Sequence, residues 1–298
     1  QNCNSTPFTV SGPTSPKKEI FPIYMAPDGE NFRGINAARV LSNGSKFTLD
    51  KTIAAGYDPT LTAFEILVPA LVSSFEKNVK PGDSLFAQLK EPVDILKQWD
   101  FRCSETSIAT TLAIDWGREL NAALQRIRVD GKNADPVEKT RQFAAVASVR
   151  DLAIPLLNAM HELERKFGTW KMPWGEINRY QRLTGNLDER YDDTQPSLPV
   201  GFASAQWGML ASYVSRPFPG TNKRYGVSGS SFICAVEFGK QLKAKSLLTG
   251  GESGDVSSKH FSDQALMYAK GQFKDVLFYK EDVLKHVEKT YHPGEMTP

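Results

Sequence analysis

Apolar residues recur at intervals of three and four positions between residues 31 and 184, the pattern of helices with one buried face. The sequence predicts helix in six segments: FRGINAARVL, TLDKTIAAG, LTAFEILVPALVSSFEKN, SLFAQLKEPVDILKQW, SIATTLAIDWGRELNAALQRI and VEKTRQFAAVASVRDLAIPLLNAMHELERKF. Gly44, Gly56 and Gly168 stand where the C-terminal caps of such helices belong. The middle of the chain is therefore predicted to be an all-helical layer.

The two flanking regions have different patterns. Residues 1–30 are rich in Pro, Ser, Thr and Gly and predict extended chain and turns with a short strand. Beyond residue 184, the runs GFASAQWGMLASYV, SSFICAVEFG and LKAKSLLTGG predict strands, the last two joined in a hairpin that turns near Gly239 and Lys240. The helical pattern returns in SDQALMYAKGQF and YKEDVLKHVEKTY. We therefore expect an α+β fold with a long helical middle and strands near both ends. Few strands are visible, so we expect protein outside this sequence to complete the sheet.

Composition narrows the class of protein. The chain has 36 basic and 34 acidic side chains among 298 residues, with both signs interspersed, so no nucleic-acid partner is expected. No apolar run approaches the length of a membrane span, and no signal peptide is visible, so no membrane partner is expected either. Cys3, Cys103 and Cys234 are widely spaced and form no zinc motif. Two states of these cysteines remain open: three free thiols, or one disulfide between two of them.

A search for common catalytic motifs finds none. His260 has triad-like neighbours in Ser262 and Asp263, but no G-x-S-x-G element precedes it. The glycines of TGGESGD lack the Lys-Ser/Thr ending of a phosphate-binding loop and indicate a turn. Adjacent carboxylates such as Asp192 and Asp193 are too common to indicate glycosidase chemistry.

Four segments in order carry a family resemblance: QNCNSTP at the start, FRGINAARVL from residue 32, WGEINRYQRL from residue 174 and SFICAVEFGKQLKAKSLLTGGESGDVSSKHFSDQ. Together they resemble the penicillin acylase family of N-terminal nucleophile hydrolases. The segment WGEINRYQRL and the tail GGESGDVSSKHFSDQ look more like its acyl-homoserine-lactone and aculeacin acylase branch than like penicillin G acylase. The resemblance implies a layered αββα fold and a precursor that cleaves itself into α and β subunits.

The family's mechanism implies roles for two residues. Its β subunit begins with a serine whose own α-amine is the base, and an asparagine side chain helps to hold the tetrahedral oxyanion. Asn4 matches that asparagine, and Arg33 matches the arginine that buttresses it. Without the resemblance, Asn4 is equally well interpreted as a turn former before Thr6 and Pro7. For Arg33, a solvated helix arginine would then be the favoured interpretation. His260, Asp263 and Gln264 match a tail motif that is structural.

The sequence departs from the family pattern at its start, because Gln1 cannot be the nucleophile. We therefore expect residues 1–298 to be the C-terminal part of a β subunit, with an oxyanion-hole segment at 1–30, a helical region at 31–184, and strands and C-terminal helices at 185–298. The expected partners are the missing α subunit, the missing N-terminal part of the β subunit and a small acyl-amide substrate. That substrate could be a penicillin, an acyl-homoserine lactone or an acylated peptide.

Further expectations follow from the same resemblance. Penicillin G acylase implies a calcium ion, but SGPTSPKKE replaces the acidic match after Asn4, so we expect no metal and no cofactor. The family implies a periplasmic or secreted protein. Alone, this chain is expected to be inactive. The alternatives are a non-catalytic helical binding or scaffold module, or a degenerate acylase homologue that has lost its nucleophile.

Overall fold

The computed structural model describes residues 1–43, 46–129, 134–292 and 294–295. Ten helices are assigned in these ranges. Their bounds are α1 Phe32–Ser42, α2 Leu49–Gly56, α3 Phe64–Asn78, α4 Ser84–Gln98, α5 Ile108–Arg126, α6 Pro136–Val146, α7 Val149–Phe167, α8 Trp174–Ile177, α9 Ala265–Lys270 and α10 Lys280–Leu284. The predicted helical middle is thus confirmed, although it ends at Ile177 rather than at residue 184.

Local capping explains where five of these ten helices begin. Asn31, Thr48, Ser107, Asp135 and Ser148 each accept a backbone N–H of the first helical turn. At the C-terminal ends, Gly168 follows α7 in the left-handed region, as predicted, whereas Gly56 is the last residue of α2 and Tyr57 caps it. The third predicted cap, Gly44, lies outside the described residues.

The main core lies within the helical layer and is centred on Phe64 at the start of α3. Its ring centroid lies 5.7 Å from that of Trp99, 6.4 Å from that of Trp116 and 5.1 Å from that of Trp207. A Cβ at Gly117 would lie 2.7 Å from the Trp207 ring, so the glycine lets that indole pack directly on α5. The segment that contains Trp207 is thereby joined to the helical layer.

The part of the chain that the structure describes contains seven assigned strands in two sheets. Their bounds are β1 Asn178–Tyr180, β2 Leu198–Pro199, β3 Tyr213–Arg216, β4 Arg224–Gly229, β5 Phe232–Glu237, β6 Lys243–Leu248 and β7 Lys274–Asp275. The first sheet has the order β2-β1-β4-β3, with β1 and β4 parallel, and the second has the order β5-β6-β7. The α+β class is confirmed, and so is the β5–β6 hairpin around residues 238–242.

A smaller core joins the two sheets. It contains Val200, Tyr213, Leu247 and Tyr268. Tyr213 comes from the first sheet, Leu247 from the second, and Tyr268 from α9, so the sheets pack through one shared set of side chains. A buried ion pair between Asp115 of α5 and Arg224 of β4 fastens the first sheet to the helical layer.

The prediction of a strand within residues 1–30 was wrong. This segment holds two short 3-10 turns, Gly12–Thr14 and Lys18–Ile20, and every assigned strand in the described ranges follows Ile177. Its five prolines lack an N–H to donate to a ladder, so turns replace a strand. The run 201–214 was also predicted as strand, but only its last two residues belong to β3, and Ala205–Trp207 forms a 3-10 turn.

Across the described residues, no single helix has both the length and the apolarity of a membrane span. Helices α6 and α7 reach that composition only when taken together, and they are bent by 111° at the break between them.

Candidate functional site

Asn4 lies in an exposed turn close to the N-terminal end of α1. Its φ is 55°, in the left-handed region that asparagine tolerates better than most residues. Its backbone N–H donates to Oδ1 of Asn2 at 2.8 Å, so Asn2 forms the turn and Asn4 occupies the strained position. Within the described ranges, the side-chain amide of Asn4 forms no hydrogen bond. That amide is therefore available to another group.

Asn31 ties this turn to α1. Its Nδ2 donates to the carbonyl oxygen of Asn4 at 2.9 Å and to that of Cys3 at 3.1 Å, while its Oδ1 accepts the N–H of Gly34 at 2.7 Å. The N–H of Thr6 adds a bond to the carbonyl oxygen of Gly29 at 3.0 Å. The backbone of Asn4 is thereby held against the first turn of α1.

Close packing at Gly34 reinforces this attachment. A Cβ at Gly34 would lie 2.7 Å from Oγ of Ser5 and 2.9 Å from Cβ of Ser5. The Ser5 hydroxyl is buried and has no partner among the described residues, so contact with the helix takes precedence over its hydrogen bonding. Only a glycine at this position lets the Asn4 segment lie directly on the helix.

Arg33 is the second residue of α1 and is half-buried. It lines a largely apolar cavity of about 410 Å³ together with Cys3, the neighbour of Asn4. The other lining residues come from α1, α2, the segment between them and the loop before β3: Ala37, Val40, Leu41, Phe47, Thr52, Ala55, Gly56 and Leu210. The structure thus brings the Asn4 turn and Arg33 to one apolar cavity, but it contains no hydrogen bond between their side chains within the described ranges.

A second cavity of about 240 Å³ adjoins the first, because Thr52, Gly56 and Leu210 line both. It continues past α2 to β5, where Ile233 and Phe273 form part of its wall. The two cavities thus lie side by side between α1 and the second sheet.

The sequence analysis did not identify the buried Asn36, which fixes the other side of α1. Its Nδ2 lies 3.1 Å from Oδ1 of Asp58 and 3.1 Å from the carbonyl oxygen of Gly208, and its Oδ1 accepts from Arg39 at 2.8 Å. Arg39 in turn pairs with Glu65 at 2.7 Å. A polar residue on the apolar face of α1, one turn after Phe32, was the available sequence signal.

Asp58 is the acidic member of this network. Partial burial raises the pKa of its carboxyl, but hydrogen bonds from Thr60 and Asn36 and the charge of Arg102 outweigh that effect. The pKa therefore lies below its ordinary value, and Asp58 is ionised at neutral pH. The network has the character of a structural anchor for the helix that carries Arg33.

The tail-motif residues lie in the loop between β6 and α9. His260 pairs with Asp263 at 2.7 Å on the surface, while the buried Gln264 accepts the N–H of Leu248 at 3.0 Å and donates to Glu252 at 3.1 Å. Arg182 donates to the carbonyl oxygen of Ser253 at 2.9 Å. These contacts hold the glycine-rich loop, which fits the structural role predicted for the motif.

The remaining candidate groups offer no site of their own. In the ranges that the structure covers, no group of three or more His, Cys, Asp or Glu side chains is arranged to hold a metal ion. The three cysteines are free thiols. Burial raises the pKa of the Cys103 thiol, which is consistent with an inert core residue.

Comparison with known proteins gives two findings. The family model described as penicillin amidase matches residues 1–285. A thermostable penicillin G acylase from Alcaligenes faecalis is similar in structure, with a TM-score of 0.50 and 13% sequence identity, over 100% of this chain and 56% of the acylase chain. The structural likeness establishes the fold alone, and the chain spans little more than half the length of that acylase. On the family match, which extends over most of its length, the chain belongs to the penicillin amidase family.

Proposed function

We infer that this chain is the C-terminal part of the β subunit of an acylase that hydrolyses the amide bond of an N-acyl substrate. An N-terminal serine outside this chain attacks the amide carbonyl, and its own α-amine takes the proton. The amide nitrogen of Asn4 then donates to the oxyanion of the tetrahedral intermediate. The observation that carries the proposal is the Asn4 amide, which has no partner in the described ranges although its backbone is fastened to α1.

This arrangement suits an oxyanion donor for a physical reason. A donor lowers the barrier most when it is aimed in advance and needs no reorganisation during the reaction. The bonds from Asn31 fix the Asn4 main chain, whose φ of 55° lies in the left-handed region that asparagine tolerates. A neutral amide also donates without introducing a charge of its own, so it stabilises the developing negative charge without forming an ion pair in the ground state.

Arg33 has an electrostatic role in this proposal. It follows the N-cap Asn31 by two residues, so the residue that tethers Asn4 also fixes the backbone of Arg33. Its guanidinium provides a permanent positive charge at the edge of an otherwise apolar cavity. That charge favours the negative intermediate over the neutral substrate.

The apolar cavity supports a substrate with a hydrophobic acyl group. Its volume of about 410 Å³ lies within the range of small-molecule sites, and its walls are mainly aliphatic. Aliphatic walls favour the acyl-homoserine-lactone and aculeacin acylase branch over one that takes polar acyl groups. The same inference includes a self-cleaving precursor and a periplasmic or secreted location, which rest on family resemblance alone.

The test uses the complete product of the gene that encodes this chain. Asn4→Gly removes the amide, and glycine accepts the left-handed φ without strain. We expect kcat to fall about 10²- to 10³-fold on an acyl-amide panel, with the free energy of unfolding little changed. Asn2→Ser is the matched control: its hydroxyl can still accept from the Asn4 N–H, and activity should persist.

The opposite pattern would overturn the assignment of Asn4. Full activity in Asn4→Gly together with loss in Asn2→Ser would make Asn2 the donor. Absence of amide hydrolysis in the unmodified complete product would favour the degenerate homologue or the scaffold module.

A further inference from the structure

A cavity of about 210 Å³ with charged walls lies between α5, α7 and β4. Six charged side chains line it: Asp115, Arg118, Glu119, Glu162, Lys166 and Arg224. None of them lines the two cavities near Asn4. The volume is smaller than that of a site for a drug-sized molecule, so the cavity suits a ligand of few atoms.

Helical spacing brings five of these side chains to the cavity. On α5, Asp115, Arg118 and Glu119 are three and four positions apart and so lie on one face. On α7, Glu162 and Lys166 share a face in the same way. The two helices pack against each other, and β4 supplies the sixth side chain. The cluster is therefore built by three elements of the fold.

Arg224 is the buried cation of this cluster, and the whole residue is only 9% exposed. Its Nη1 contacts Oδ1 of Asp115, but the two groups are not aligned for a hydrogen bond, and Nη1 has no other partner within the described ranges. A guanidinium has five N–H donors, and buried donors normally find acceptors. The Arg224 guanidinium therefore lacks acceptor oxygens.

Arg118 is the open cation of the cluster. Its side chain is exposed, and in the part of the chain that the structure describes it forms no hydrogen bond or ion pair. Partial burial lowers the pKa of its guanidinium, and so does the charge of Arg224, while the charge of Asp115 raises it by less. Arginine stays protonated at neutral pH. Arg118 thus carries its charge in a field that is already net positive.

Glu162 does not compensate this positive field, because two other cations already bind it. Its Oε1 lies 2.7 Å from Nη2 of Arg165 and 2.8 Å from Nζ of Lys166. Hydrogen bonds from Arg165 and Lys166 lower the pKa of the Glu162 carboxyl to about 2. The carboxylate is therefore ionised and satisfied at the side of the cavity.

Glu119 does not compensate the field either. It is exposed, and no ion pair joins it to Arg118 among the described residues. Asp115 is then the one carboxylate that acts on both Arg118 and Arg224. One negative charge faces two guanidiniums across a cavity that has room for another.

We propose that this cavity binds a small oxyanion, a carboxylate or a phosphate, between Arg118 and Arg224. The planar fork of a guanidinium matches the oxygens of either group. The anion supplies the acceptors that Arg224 lacks and adds negative charge where the field is positive. Asp115 repels an anion, but its contact with Arg224 offsets that charge, and Lys166 adds a third cation to the wall. The exposed Arg118 gives access from solvent.

Stability titrations of the complete gene product test the site. An anion that binds the folded protein at one site raises the unfolding midpoint along a binding curve. The general effect of phosphate on protein stability acts on every variant alike. Inorganic phosphate and acetate are therefore titrated separately at constant ionic strength, with chloride as the balancing anion. We expect a binding curve for at least one of them.

Two arginines of α5 provide the variant and its control. Arg118→Gln removes a charge and a fork at an exposed position and should weaken binding of the anion at least tenfold. Arg126→Gln is the matched control, because Arg126 is also exposed on α5 but does not line this cavity. Its binding curve should match that of the unmodified protein. Arg118→Lys keeps the charge without the fork and should be intermediate.

The two anions distinguish the sources of the ligand. A binding curve with phosphate alone assigns the site to a phosphate group, and one with acetate alone assigns it to a carboxylate. Curves with both support a site for either oxyanion. Absence of a binding curve for both anions in the unmodified protein would overturn the proposal, and so would equal curves for Arg118→Gln and Arg126→Gln.

Arginine labelling of the unmodified protein gives a measurement that needs no variant. Phenylglyoxal should modify Arg118, and the bound anion at ten times its dissociation constant should slow that reaction about tenfold. The rate at Arg126 should not change. Mass spectrometry of the digested protein measures both residues. An unchanged rate at Arg118 would contradict the proposal, and this result decides if Arg118→Gln fails to fold.

The anion site does not depend on the proposed function, because none of its residues belongs to the proposed catalytic machinery. Amide hydrolysis by Arg118→Gln should equal that of the unmodified protein. Anion binding without amide hydrolysis would keep the site and reject the acylase, and amide hydrolysis without anion binding would do the reverse.

Discussion

The side-chain amide of Asn31 donates to the carbonyl oxygen of Asn4 at 2.9 Å, while its oxygen accepts the N–H of Gly34 at 2.7 Å. One residue therefore caps α1 and fastens the turn that presents Asn4. Because Arg33 lies inside the capped turn, the two residues assigned by resemblance share a single support.

Substitutions at Asn31 should separate its two functions. Asn31→Asp keeps an oxygen for the helix cap but loses the amide donor, whereas Asn31→Ala loses both. We expect the alanine variant to lower the free energy of unfolding by about 1–2 kcal/mol, and the aspartate variant to lose less. Both should lower kcat of the complete protein about ten- to a hundredfold, because Asn4 is no longer held in place.

Urea denaturation and steady-state kinetics provide the two measurements. An Asn31→Asp variant with unchanged kcat would show that the bond to Asn4 does not position it.

The contact between Gly34 and Ser5 leads to a second prediction. Alanine is a better helix former than glycine by about 1 kcal/mol, but a Cβ at Gly34 would lie 2.7 Å from Oγ of Ser5. We expect Gly34→Ala to destabilise the protein by about 1–2 kcal/mol, because overpacking outweighs helix propensity. Ser5→Gly removes both contacting atoms and should rescue it.

A double-mutant cycle on Gly34 and Ser5 measures this coupling, which should reach about 1 kcal/mol. Gly56→Ala is the matched control, since no atom lies within 4 Å of its added Cβ. Independent, additive effects of the two substitutions would contradict the prediction.

Local sequence signals were sufficient for the helical layer and for the β5–β6 hairpin. Each helix carries its own apolar face and most carry a side-chain cap, and the hairpin strands are near in sequence. The short strands were not visible. β1 has three residues, too few for a period, and it exists because it pairs with β4 more than forty residues later. Such pairing is decided by the tertiary fold.

The candidate site divides in the same way. Asn4 and Arg33 could be named because each lies in a short segment that resembles the family. The residue that supports Asn4 could not be named from the sequence, because the side chain of Asn31 reaches back across 27 residues to the carbonyl oxygen of Asn4. The apolar cavity likewise combines residues as distant as Cys3 and Leu210. Its shape depends on how α1 and α2 close on each other.

The buried ion pair between Asp115 and Arg224 leads to a third prediction. Their side chains are only 7% and 11% exposed, and they join α5 to β4. Removing one partner leaves the other charge buried, so Asp115→Ala or Arg224→Ala should cost about 3–5 kcal/mol of unfolding free energy. Replacing both residues, as Asp115→Leu with Arg224→Met, should cost clearly less than the sum of the two single-variant losses.

Chemical denaturation of the single and double variants measures these differences. The exposed pair of Lys97 and Glu76 is the control, and Glu76→Ala should move the unfolding midpoint little. If the double variant lost as much unfolding free energy as the two single variants together, the charges of Asp115 and Arg224 would not be energetically coupled.

The lowered pKa of Asp58 predicts a pH dependence of stability. A carboxyl whose pKa is lower in the folded state binds its proton more readily when unfolded, so its ionised form stabilises the fold above the unfolded pKa. The stabilisation is lost as the pH falls through about 4, the ordinary aspartate value, and then through the lower folded value. Asp58→Asn should therefore lower the free energy of unfolding by about 1–2 kcal/mol at pH 7.

The difference between Asp58→Asn and the unmodified chain should narrow steadily as the pH is lowered from 5 to 3, because the unmodified carboxyl becomes neutral as well. Urea midpoints at pH 7, 5, 4 and 3 measure this. A difference that stays constant over that range would assign the effect of Asp58 to shape rather than charge.

Since Asn36 connects Asp58 to α1, the same acid titration should loosen the helix that carries Arg33. Amide exchange in α1 should therefore accelerate over the same pH interval in the unmodified chain, after correction for intrinsic rates, and not in Asp58→Asn.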